Sequence, residues 1–91
     1  MKRISSLIHP RKRFELLRRI RKAGYGVRMH AYEYYIWKRG FVSVIFLQPY
    51  LGKAYIYNIR SNREESEKAA REIFHILRAI DKHLQIEIIQ H

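Results

Sequence analysis

Residues with chemical potential lie mostly in the first half of the chain. Arg11, Lys12, Arg18, Arg19 and Lys22 recur at spacings that put them on one side of a helix, with Glu15 the only acid among them and Lys2 and Arg3 just ahead. A helical face of this kind neutralises phosphates and releases their counterions, and it can track a nucleic-acid backbone or enter a groove. Arg28, His30, Tyr32, Tyr34 and Lys38, followed by Arg39, alternate along a strand-like stretch. Exposed rings on a sheet can stack bases while interleaved cations hold the phosphates. Both patterns also have plainer readings, a solvated helix face and a packed strand. Trp37 reads as packing at the core or at the end of the sheet.

The remaining chemistry is sparse. The histidines, His9, His30, His75, His83 and His91, are not spaced as a ligand set, and cysteine is absent. No glycine-rich phosphate loop, paired-carboxylate pattern or nucleophile elbow is present. His30 is the one candidate general base, since Arg28 beside it would favour the neutral imidazole that a base requires. The expectation is therefore a binding protein, with no catalytic activity, no metal and no cofactor.

Charge distribution carries this reading further. The formal net charge is +11. Residues 1–53 hold 13 Lys/Arg and 2 acids, whereas residues 54–91 hold 6 of each. Concentrating the excess in one part of the chain implies a counter-charged partner, nucleic acid first, DNA or RNA, bound with little sequence preference. Cysteine-free composition and the lack of an apolar run near the roughly 20 residues that span a bilayer point to a cytoplasmic protein that does not engage membranes. Residues 1–8 resemble a secretory leader only briefly, because His9, Pro10, Arg11, Lys12 and Arg13 interrupt it. Heavy use of Ile, Lys, Arg, Glu and Tyr with few Asn and Gln resembles the composition of thermophile proteins.

Ninety-one residues make one domain, 1–91, in which residues 1–9 are either a flexible arm or an extra strand. Pro10 suits the first turn of a helix whose apolar residues, Phe14, Leu16, Leu17, Ile20 and Ala23, fall within one half of the helical wheel and which stops at Gly24. Arg13 and Arg21 fall in or beside that apolar arc and should snorkel outward. Tyr25 to Lys38 reads as one long strand with a bulge or strong twist near Glu33. A turn at Lys38-Arg39-Gly40, with Gly40 at positive φ, leads to a central strand from Phe41 to Gln48 and then to a third from Lys53 to Arg60. Ser61 and Glu64 form a capping box for a helix ending near Lys82, with Glu64–Lys68 and Glu67–Arg71 as i, i+4 pairs. Leu84 to Gln90 is a last strand whose edge could pair with a second copy or another protein, the competing functional reading. The fold expected is α+β, α-β-β-β-α-β, an antiparallel meander covered on one face by two helices.

That order over residues 11–82 resembles the double-stranded-RNA-binding domain, and Ser61 to Leu77, with Ala69 and Ala70, is similar to its second helix. The family presents lysines at the start of that helix, where this chain carries Glu64, Glu65 and Glu67. Leu16 to His30 resembles the small messenger-RNA-cleaving toxins, which implies a ribonuclease with a His base. Their Gly-Ser-His signature is missing, because Arg28 and Met29 precede His30.

Overall fold

In the computed structural model, which describes residues 3–39, 41–61 and 63–90 (60, 61 and 90 by backbone alone), Pro10 opens helix α1 (Pro10–Lys22). Leu16 and Ile20 are fully buried and Leu17 packs beside them. Gly24, at φ +99°, lies just past the helix end, a conformation that glycine adopts at little steric cost.

Arg13 does not turn outward. Its Nη1 donates to the carbonyls of Leu7 (3.0 Å) and Ile8 (2.7 Å), and its guanidinium lies 4.7 Å from the centroid of the Tyr32 ring. These carbonyls belong to a 3-10 turn at Ser6–Ile8, which folds back against α1 and buries Leu7 completely. Ser5 anchors that turn. Its hydroxyl accepts from the Leu7 N–H (3.1 Å) and donates to the Asp81 carboxylate (2.6 Å), and its own N–H donates to the Pro49 carbonyl (2.8 Å). Ser5→Ala should lower unfolding free energy by about 1–2 kcal/mol, measured by urea denaturation, because a cap and a charge-assisted hydrogen bond are lost together.

The stretch expected as one long strand is two. Strand β1 (Gly26–His30) and strand β2 (Glu33–Lys38) form an antiparallel hairpin in which His30 faces Glu33 and Gly26 faces Trp37. Ala31, at φ +56°, carries the turn without the Gly or Asn that would advertise it. Long-range contacts hold it instead: the Leu47 N–H donates to the Tyr32 carbonyl (2.9 Å), and the Tyr32 ring lies under Arg13.

Strands β3 (Phe41–Gln48) and β4 (Lys53–Ser61) continue the meander, and helix α2 (Arg63–Ile80) leads to β5 (Gln85–Gln90), parallel to β4. The sheet order is β1-β2-β3-β4-β5, so β3 is central as expected. Lys38 pairs with Phe41 across the second hairpin, and the expectation for Gly40 lies outside the described residues. Ser61 is the last residue of β4, its backbone paired with Phe41, and the capping box expected of its side chain lies outside the described residues. The position next to α2 is Asn62, outside the described residues. Glu67 pairs with Arg63 (3.6 Å) rather than Arg71.

Both helices cover one face of the sheet. Tyr34, Ile36, Ile45, Leu47 and Ile56 point into the core against Leu16, Ile20, Ala69, Ile73 and Leu77. Among the described residues no helix is long and apolar enough to cross a membrane.

Candidate nucleic-acid interface

Arg11, Arg18 and Lys22 are spaced i, i+7, i+11, which keeps them within about 40° on the helical wheel and spreads them over about 16 Å of axis. All three are exposed, and no ion pair engages them among the described residues. Lys12 and Arg19, expected as equal partners in this face, are held by the one acid in it. Glu15 bonds Arg19 Nε at 3.0 Å and lies 3.6 Å from Lys12 Nζ. Glu15, Arg18, Arg19 and Lys22 line a shallow depression on the helix.

Lys38 joins this side from the sheet. Its Nζ sits 4.8 Å from the centroid of the Tyr25 ring, beside Gly24 at the end of α1. There the helix carbonyls carry partial negative charge and favour a cation. Arg39 follows in the turn, exposed.

The other expected site residues go elsewhere. Tyr34 is fully buried and its hydroxyl donates to the Arg13 carbonyl (2.8 Å), so it is a core residue and offers no ring to a base. Tyr32 is half-buried beneath Arg13. Arg28 and His30 are exposed on the opposite face of the sheet, across from Tyr35 and Glu33. The hairpin turn is the reason. In one continuous strand residues 28, 30, 32 and 34 share a side. With the turn at residues 31 and 32, residues 28 and 30 instead share a side with 33, 35 and 37. The single expected surface is thus two surfaces, one on each side of the molecule.

Burial pushes the hydroxyls of Tyr25 and Tyr34 well above the ordinary tyrosine range. At Tyr25 the hydrogen bond to Glu72 (3.0 Å) and the charges of Glu72 and Glu65 add to the effect, and at Tyr34 the nearby Arg13 opposes it. Among the described residues no three His, Cys, Asp or Glu side chains converge.

Trp37 is half exposed, on the uncovered face, and its indole lies across Gly26. A Cβ at residue 26 would overlap the ring. Gly26→Ala should therefore dislodge the ring, shift the emission of this single tryptophan to the red and destabilise the fold by about 1–3 kcal/mol. Unchanged emission would contradict that packing. Comparison with protein-family models, curated proteins and solved structures gives no match.

Proposed function

We propose that this chain binds nucleic acid through its phosphates, with little sequence preference, along Arg11, Arg18 and Lys22 of α1 and onward to Lys38 and Arg39. The observation that carries this reading is the row of exposed cations left over after Glu15 has paired with Lys12 and Arg19. A row about 16 Å long along a rigid helix suits a phosphate backbone better than it suits a small anion, which needs convergent donors. Arg28 and His30 lie on the far side of the sheet and take no part. A phosphate held on α1 is therefore not presented to His30, and binding without cleavage is the proposal. A cytoplasmic location, expected from the cysteine-free composition, is part of this proposal.

The test is binding to duplex DNA, duplex RNA and single strands across a salt series. With four to five phosphates neutralised, affinity for duplex DNA should fall on the order of 10²–10³-fold between 50 and 200 mM salt. Binding that ignores salt, or cleavage of the RNA, would remove the proposal.

A further inference from the structure

The face of the sheet opposite the helices is uncovered by any described segment. Tyr35 (43% exposed), Trp37 (50%), Val42 (39%) and Ile59 (52%) stand on it around Val44 and Phe46. Isolated exposed apolar side chains need no explanation, but a contiguous sheet face of them marks an interaction surface.

Its charge is mixed, unlike the basic row on α1. On this face Arg28, Lys53 and, by its register with Val42, Arg60 stand against Glu33 and Glu87, an excess of one cation within a chain of net charge +11. The acids would repel phosphates, and the rings of this face, Tyr35, Trp37, Phe46, Tyr55 and Tyr57, are interleaved with Val42, Val44 and Ile59, a mixed apolar surface of the kind that closes against another protein face. Each margin holds both signs, Arg28 with Glu33 on β1 and β2 and Lys53 with Glu87 on β4 and β5, and the outermost strands differ in sign. Arg28 and His30 lie on β1, at one margin, and Glu87 lies on β5, at the other. His30, Glu33, Phe46, Tyr55 and Glu87 form one row across the sheet.

We infer that this face binds a second copy of the chain, sheet against sheet, about a two-fold axis running along β3. That axis sets β1 of each copy over β5 of the other, so His30 and Arg28 meet Glu87 of the second copy at both margins. The apolar centres then close on each other. Five strands about 4.8 Å apart and about 20 Å long offer roughly 500 Å² per copy, near 1,000 Å² over both, the size at which specific interfaces begin. The net charge does not oppose this. With sheets about 10 Å apart and a helical layer outside each, the two α1 helices stand about 30 Å apart, some three Debye lengths at 0.1 M salt. The inference is independent of the proposed function, and the pair would present two basic helices facing outward.

Sedimentation equilibrium from 1 to 200 μM should give twice the 11.1 kDa chain mass at the upper end, with Trp37 emission moving to the blue as the copies associate. Val42→Lys and Ile59→Lys, both at exposed positions, should keep the circular dichroism spectrum and weaken association at least 10-fold. Arg28→Glu should weaken it too, and adding Glu87→Arg should restore it. A monomer at 200 μM overturns the inference. So does association indifferent to Val42→Lys, which would locate the contact at the β5 edge or elsewhere. Quenching of Trp37 by an unlabelled single strand would overturn it as well, by putting bases on this face.

Discussion

Replacing Arg11, Arg18 and Lys22 together by Gln is expected to lower affinity for duplex DNA by about 10²–10³-fold at 50 mM salt and to make the slope of log affinity against log salt shallower by about 2.7. The slope is the sharper readout, because each neutralised phosphate contributes about 0.9 to it whatever the sequence. All three side chains project from the outer face of α1, so the helix should persist by circular dichroism, since Gln is nearly as good a helix former as Arg or Lys. Glu15→Gln gives the opposite sign. It releases Lys12 and Arg19 from their shared carboxylate, so binding should tighten several-fold and the slope should steepen. An equal loss of affinity at all salt concentrations after the triple replacement would mean that these cations are not phosphate contacts.

Stability should fall steeply above pH 10. Tyr25 and Tyr34 are buried and their folded pKa values are raised, whereas in the unfolded chain each ionises near pH 10. A raised folded pKa gives stability that is whole below the unfolded value and is lost as pH climbs through the folded one, because only the unfolded chain releases the protons in between. Two such groups set a limiting slope of about 2.7 kcal/mol per pH unit. Urea melts between pH 8 and 12 measure it. Tyr34→Phe separates the two groups. At pH 8 it should cost about 1 kcal/mol, since the Arg13 carbonyl loses its donor, but above pH 10 the slope should halve. A urea midpoint flat from pH 9 to 12 would show that neither hydroxyl is held protonated.

The local elements were legible because their signals are local. Pro10, the apolar spacing from Leu16 to Ile20 and Gly24 delimit α1, and the run from Phe41 to Gln48, apolar on both faces, marks the central strand. The basic row was legible for the same reason, since helical geometry alone sets Arg11, Arg18 and Lys22 in line. The pairing of Glu15 with Lys12 and Arg19 also follows from i, i+3 and i, i+4 spacing, so the narrowing of the row to three residues was within reach of the sequence.

What only the tertiary structure decided turns on Ala31 and Tyr32. Local turn chemistry needs Gly, Asn or Asp at positive φ, and here an alanine takes that conformation because Leu47 and Arg13 hold its neighbour from distant parts of the chain. Strand side chains have a period of two, so two unrecognised turn residues reversed the sidedness of everything beyond them. Tyr34 went into the core, Tyr35 and Trp37 came out onto an open sheet face beside Arg28 and His30, and Lys38 came round to the end of α1. Composition and periodicity determined the charge, the helices and the basic row. Which surface each aromatic and cation of β1 and β2 would share was settled by contacts made across the fold, to which no local pattern refers.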